Sequence, residues 1–443
     1  MRGFYLLILL VWSNSFLANS LEGFANVSPV LVAEVTANNL LPNQLYISTP
    51  FAKPIILNPE QEKQLREKII LKIELVYTQF RTSPSFNQKQ LNLNRLKQLQ
   101  KLSPTIFEFP VWEFQLTEQT NGNNREDCNK MFHGFIITFR PTSNKETLQQ
   151  ESDYLETLVS TMLKNDSINN DTVPKKFDIK THYDKQWGYI HDTIWFVDTF
   201  PPPNPPDFFY NHSLYKDSTV LNVFERNSSW NNFIVVTDVT GSMSPYSAQV
   251  FVWLKKQAEN KKAKYFVFFN DGDDKESRKK KPLETKGVYV VENKGIEEVT
   301  KTATKCMLKG SGGGESLEND VEAILEGAKH YNKSDAIILV ADNFESMRDY
   351  EYIKKIKKPV YVILCGGEVG VNIQYLDLAY HTKGSVHTKN EDILNLYQTK
   401  ENEHVYIGDK KYLFKNGRFH FVYDSFNTQN TSVRKATIKI GSK

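Results

Sequence analysis

From residue 217 onward the chain alternates short, nearly continuous apolar runs with amphipathic stretches, and few folds accept that pattern. The runs are FIVV from Phe233, YFVFF from Tyr265, AIILV from Ala336 and VYVIL from Val360. Strands covered on both faces of a parallel sheet look like this, because neither face meets water. Between the runs, Tyr246, Val250, Trp253 and Leu254 form one stripe. Leu317, Val321, Ile324, Leu325 and Ala328 form another at i, i+4, i+7, i+8 and i+11. Those are helical periods. Strand–helix alternation predicts an α/β fold with a doubly wound, mainly parallel sheet. Such sheets hold ligands at the carboxyl ends of their strands.

The rest of the chain reads differently. With 443 residues there is room for about three units of roughly 150 residues each. Residues 54–101 read as two helices, with Leu65, Ile69, Ile73 and Val76 at helical spacing in the first. Phe107–Leu116 and Met131–Phe139 read as strands, Thr147–Leu163 as a helix, and Phe177–Asp198 as aromatic-rich strand. PPPNPPD at 201–207 is a stiff, extended segment. The predicted layout is a signal peptide over 1–20, an α+β domain of unknown type over 21–200, and a Pro-rich linker over 201–216. The α/β domain then covers 217–395 and a small β-meander and tail covers 396–443. Asn416-Gly417 between KYLFK and RFHFV is the hairpin signal of the meander.

Residues 1–20 carry Arg2, an apolar run from Phe4 to Trp12, and the small residues Ala18 and Ser20 before Leu21. That order predicts export, to the medium, the periplasm or the cell surface. The run is too short to cross a bilayer, which needs about 20 apolar residues, so no transmembrane anchor is expected in the mature chain. Lys+Arg of 55 against Asp+Glu of 52 argues against a nucleic-acid binder. Three cysteines exclude a disulfide scaffold. Seven Asn-x-Ser/Thr sites read as chance in an Asn-rich chain, and SRKKK at 277–281 as a solvated loop.

NNFIVVTDVTGSMSPY is the most informative stretch. The strand delivers Asp238 at its carboxyl end, and Thr240 and Ser242 follow at two-residue steps. Gly241 permits a tight turn. Ser244-Pro245 reads as a helix start, Ser as cap and Pro in the first turn. A carboxylate and two hydroxyls converging at a sheet edge are oxygen ligands for a hard cation.

Here the sequence resembles the von Willebrand factor type A domain and its metal-ion-dependent adhesion site, over about residues 217–395. The Asp-x-Thr-x-Ser run is a variant of that family's first loop, and IILVAD ends in Asp342, the family's third-loop acid. The second loop departs from the simplest pattern: KGSGGGESLEND has no Thr. It is similar to a GGG-Asp-x-x-Glu version, with Glu315 and Glu318 matching the acids and Ser311 a further oxygen. VFFNDG places Asp271 near the rim. The resemblance implies Mg²⁺, with Mn²⁺ or Ca²⁺ as alternatives, held by Asp238, Thr240, Ser242 and Glu315, with Asp342 acting through water.

Other chemistries fit less well. Asp-Val-Thr-Gly-Ser also looks like a phospho-aspartate motif, with Asp238 a nucleophile, but no later Gly-Asp-x-x-Asn-Asp completes it. GSGGGES lacks the Gly-Lys-Ser/Thr ending of a phosphate loop. His182, Asp184, His191 and Asp192 have no compact zinc spacing. Cys128 with His133 has no orienting third group, and Cys306 and Cys365 read as buried thiols. The implied function is non-enzymatic: metal-dependent recognition of a protein partner, through an acidic side chain of that partner. The alternatives are a purely structural ion, and a hydrolase built on residues 21–200 with the α/β domain as a docking module.

Overall fold

The computed structural model describes residues 21–35, 41, 43–49, 54–81, 83–107, 111–141, 144–166, 175–184, 188–197, 217–257, 261–273, 275, 279–310, 317–367 and 370–422. The first sheet is built from β1 (Val30–Val32), β2 (Gln44–Ser48), β3 (Ile70–Thr78), β4 (Glu113–Gln119) and β5 (Gly134–Phe139). Helices α1 (Pro59–Glu67), α2 (Gln88–Leu102) and α3 (Arg125–Lys130) lie between the strands in sequence. The strand order is β1-β4-β3-β5-β2; β4 is parallel to β1 and β3, and β5 is antiparallel to β3 and β2.

The expected first helix is corrected here. Only Leu65 of the four spaced apolar residues lies in α1, and Ile73 and Val76 lie on β3. The helix is bounded by a capping box at Asn58 and an extended Lys68. Beyond it ILKIELVYT is rich in β-branched residues, which fit a pleated strand. Ile73, Leu75, Val76 and Tyr77 are all buried, as befits the central strand between β4 and β5. The strand expected over 107–116 begins at Glu113, because Pro104–Phe107 is a 3₁₀ turn.

Next come α4 (Lys145–Asp166) and the antiparallel hairpin β6 (Lys175–Asp184) and β7 (Gly188–Val197). The second sheet follows α5 (Thr219–Arg226). It contains β8 (Phe233–Asp238), α6 (Ser244–Lys256), β9 (Ala263–Phe269), β10 (Val288–Glu292), α7 (Ile296–Lys309), a short β11 (Leu317–Glu318) and α8 (Asp320–His330). It continues through β12 (Ala336–Asp342), a short β13 (Ser346–Met347), β14 (Val360–Cys365), α9 (Ile373–Thr382), β15 (Ser385–His387) and β16 (Asp392–Ile393). The order is β10-β9-β8-β12-β14-β15-β16. The inner five strands are parallel, and only the edge strands β10 and β16 run antiparallel. Alternate residues of β8 enter opposite cores. Phe233 and Val235 pack with α5, α6 and α7, whereas Ile234 and Val236 pack with α8 and α9. The α/β class is therefore present, with helices on both faces. Helix α6 starts at Ser244 with Pro245 in its first turn, but the cap position is Met243 and no side chain caps it.

The expected boundary needs correction as well. Residues 201–216 lie outside the described residues, but the core does not divide there. Leu148, Tyr154, Leu155, Leu158 and Val159 of α4 share one apolar core with Val250 and Phe251 of α6 and Val299, Ala303 and Met307 of α7. A helix assigned to the first unit thus covers the second sheet. β17 (His404–Ile407), β18 (Lys410–Lys415) and β19 (Arg418–Val422) form the meander, with Asn416 and Gly417 at φ 54° and 74° in its turn. Tyr412, Phe414 and Phe419 pack it into the core of α9. No helix of the described residues is long and apolar enough to cross a membrane.

Candidate metal centre

β8 and β12 are neighbours, and the winding direction of the sheet reverses between them: β9 lies to one side, β14 and β15 to the other. At such a point the loops leaving the strands diverge and open a crevice at the carboxyl edge. β8 delivers Asp238 there and β12 delivers Asp342. Both are buried, and so is Thr240. Asp238 Oδ1 accepts the Thr240 N–H at 2.8 Å, which orders the turn, while Oδ2 accepts no hydrogen bond from the described residues.

Two further carboxylates arrive from loops that a short bridge holds together. β11 pairs with β13 in parallel, Leu317 against Ser346 and Glu318 against Met347. The Arg348 N–H donates to Glu318 O at 2.7 Å and Arg348 Nε to Asn319 Oδ1 at 3.1 Å. Asn319 Nδ2 donates to Asn270 O at 3.2 Å, which ties in the loop after β9. Asn372 Nδ2 holds the Glu345 carbonyl at 2.8 Å. The result is that one carboxylate oxygen each from Asp238, Glu318 and Glu345 lies within 4.8 Å of the other two.

The electrostatics are those of crowded, dry acids. Burial pushes Asp238 up to about 8; the Thr240 N–H opposes this, and Asp342 and Asp271 add to it. Burial also raises Glu318, reinforced by Asp271 and Asp238, and raises Glu345, reinforced by Asp342 and Asp238. Asp320, at the start of α8, is raised by burial and by Asp349. Glu318 and Glu345 are close enough to share a proton. Among the described residues, neither Glu318 oxygen, nor Glu345 Oε2, has a hydrogen-bond donor. Buried charges left unpaired cost several kcal/mol each, so the cluster must take up either protons or a cation. An all-oxygen donor set suits Mg²⁺, Mn²⁺ or Ca²⁺. Two oxygens on one such ion can be no further apart than about 4–5 Å, twice a metal–oxygen distance of about 2.0–2.6 Å. A spacing of up to 4.8 Å falls within the upper part of that range, where Ca²⁺ lies.

One positive group already touches the rim, and it comes from the other sheet. Arg140 directly follows β5. Its Nη1 donates to Asp342 Oδ2 and, at 3.3 Å, to Glu345 Oε1, and its Nη2 donates to Asp342 Oδ1 at 3.1 Å. The guanidinium also lies over the Phe344 ring, 5.0 Å from its centroid. Burial alone would lower the Arg140 pKa, but Asp342 more than reverses that.

Of the residues expected from sequence, Asp238, Thr240 and Asp342 come together at this edge, and Asp271 acts on the same acids. The Ser242 side chain, Ser311 and Glu315 lie outside the described residues. Sequence reasoning passed over Glu318 as a ligand, although it ends the Gly-rich loop, and it missed Glu345 and Arg140 entirely. Glu345 lies in the turn three residues past Asp342, a spacing with no motif behind it.

A second constellation stands at the far edge of the same sheet. The Ser385 hydroxyl donates to His387 Nε2 at 2.6 Å, and His387 Nδ1 donates to Asp392 Oδ1 at 2.8 Å. The order is that of a nucleophile, a base and an acid. The hydroxyl, however, belongs to a residue only 5% exposed. Asp392 also accepts from Arg226 Nη2 at 2.8 Å and Asn227 Nδ2 at 3.3 Å. This network ties the end of α5 to the sheet edge. His133 is likewise occupied on both nitrogens, by Thr78 Oγ1 and the Met131 carbonyl, so it does not serve Cys128 as a base. Cys128, Cys306 and Cys365 are all buried. The side chains of His182, Asp184, His191 and Asp192 lie outside the described residues.

No protein-family model, curated protein or solved structure matches this chain.

Proposed function

We propose that this is an exported divalent-cation-binding protein that recognises a protein partner through its α/β unit, in the manner of the von Willebrand factor type A family it resembles. The observation that carries the reading is the buried trio Asp238, Glu318 and Glu345, each with an oxygen that meets no donor among the described residues, at the point where the sheet reverses. In this reading those three carboxylates hold the ion together with the Thr240 and Ser242 hydroxyls, Glu315 contributes from the Gly-rich loop, and Asp342 takes the outer position. The bound ion supplies a directional point of attachment for an oxygen of the partner. The protein's own residues hold three loops in place around it and keep bulk water out.

A second reading, an ion that only braces the loops, is favoured by one specific observation. Three carboxylates outweigh the charge of a divalent ion, which weakens its pull on a partner's carboxylate. Thermal denaturation and partner capture from the native medium, each with Mg²⁺ and with EDTA, separate the two. Capture that needs Mg²⁺ and fails in Asp238→Ala supports recognition. Stabilisation by Mg²⁺ without capture supports the brace, and no response to any divalent ion removes both.

A further inference from the structure

We infer that Arg140 is a built-in occupant of this site, by which the first sheet covers the rim and opposes the cation. The inference rests on the cation reading proposed above. Three observations carry it. First, the contact is two-pronged: both Asp342 oxygens and one Glu345 oxygen accept from the same guanidinium. A planar fork on carboxylates is the strong form of this pairing. Second, the backbone that carries the side chain is fixed from behind. The Arg140 N–H donates to Ile69 O at 2.8 Å, immediately before β3, and the preceding Phe139 N–H donates to Asn43 O at 2.9 Å. The root of this side chain is therefore carried by the end of β5, and the fork reaches the rim from a backbone anchored in the first sheet. Third, the pair is sheltered, with side-chain exposures of 18% for Arg140, 4% for Asp342 and 3% for Glu345.

The sign of the coupling follows from charge. Glu345 is shared: Oε1 accepts from Arg140, and Glu345 also offers an oxygen to the trio. A positive guanidinium on a cation ligand repels an incoming cation and draws off part of the ligand's charge. Binding of Mg²⁺ or Ca²⁺ must then weaken the grip of Arg140 by the same factor by which Arg140 weakens the ion, because linkage is reciprocal. Loading the site thus loosens the first sheet from the rim and uncovers the face a partner would meet. Unloaded, the covered state persists. Helix α4 is the physical link, because it begins five residues after Arg140 and packs on α6 and α7.

The test uses the full chain, titrated calorimetrically with MgCl₂, CaCl₂ and MnCl₂, as wild type, Arg140→Gln and Asp238→Ala. Arg140→Gln is expected to bind the ion about 10- to 100-fold more tightly than wild type, or to bind where wild type shows nothing. Asp238→Ala is expected to bind nothing. Equal or weaker binding by Arg140→Gln, with Asp238→Ala still silent, overturns the inference and leaves the cation site standing. Silence in all three proteins overturns the site and the inference together. Hydrogen exchange on wild type covers the case of a variant that fails to fold. Added CaCl₂ should speed exchange of the amides at 135–141, and unchanged or slower exchange there counts against the inference.

Discussion

Two carboxylate networks sit on one sheet, one at its switch point and one at its edge, and they differ in how far their acids are matched by donors. At the far edge, Asp392 is matched by His387, Arg226 and Asn227. Its pKa falls well below the usual carboxylate range: partial burial pulls upward, and the hydrogen bonds from His387 and Arg226 overcome it. Burial holds His387 neutral. At the switch point Asp238, Glu318 and Glu345 face one another, and burial raises all three. The first network has finished its chemistry inside the protein. The second has oxygen lone pairs left over and one arginine to serve two acids. Geometry resembling a hydrolytic triad marks the closed network, whereas the open one has no catalytic look at all. What separates the two networks is unspent hydrogen-bonding capacity rather than the identity of the residues.

The comparison breaks most sharply at Asp238. At a divalent-ion concentration 100-fold above Kd the wild type gains about 2.7 kcal/mol. Asp238→Ala should lose that response completely, whereas Asp392→Asn should keep it. Scanning calorimetry with CaCl₂ or MgCl₂ against EDTA checks both, and a retained response in Asp238→Ala would sink the site.

Next in size is the pH slope of the cation-free protein. The folded pKa of Asp238, about 8, lies above its unfolded value near 4. Whatever stability its protonation gives is fully present below about 4 and is lost as pH rises through about 8. In EDTA, stability should therefore fall as pH rises from 5 to 8. Calcium should restore it at pH 8 and do little at pH 5. The Asp392 network has the opposite slope: its contribution stands above about pH 4 and fades in stronger acid. Denaturant titrations at pH 3, pH 5 and pH 8, with and without calcium, measure both. A flat profile in EDTA would mean that the acids are already neutralised some other way.

A smaller effect belongs to the closed network itself. Asp392→Asn should cost about 1.5 kcal/mol, the worth of hydrogen bonds to charged partners, equally with and without cation. A cation-dependent cost would show that the two networks communicate. The smallest expected effect is none: an activated-serine probe such as a fluorophosphonate should leave Ser385 unlabelled, as read by peptide mass spectrometry. Labelling there would turn the closed network into an active site.

The strands of the second sheet were legible because their apolar runs have no polar face to confuse them. Asp238 and Asp342 were legible for a related reason, since a carboxylate that ends such a run has its position fixed by the strand. β3 was misread because a three-to-four spacing and a two-residue alternation overlap within one short window. The run of Ile, Leu, Val and Tyr should have decided for strand. Glu345 and Arg140 were not legible at all. Their place depends on a two-residue bridge between β11 and β13 and on the docking of a sheet some 200 residues earlier, and neither leaves a period in the sequence. The division at residues 201–216 failed for the same reason: a composition change marks where the chain extends, and α4 had already crossed over.

That crossing helix also sets an order of assembly. The first sheet draws on residues 30–139 and closes with contacts made inside that span. α4 leaves it with Leu148, Leu155 and Leu158 on an apolar face whose cover includes α7, which ends at Lys309. A chain made from its N-terminus at about 5–20 residues per second carries that face uncovered for roughly 10–30 s. Pairings this distant in sequence also slow the final docking step. The sticky interval is built into the topology, and a fragment that ends before α7 should aggregate even though its own sheet is complete.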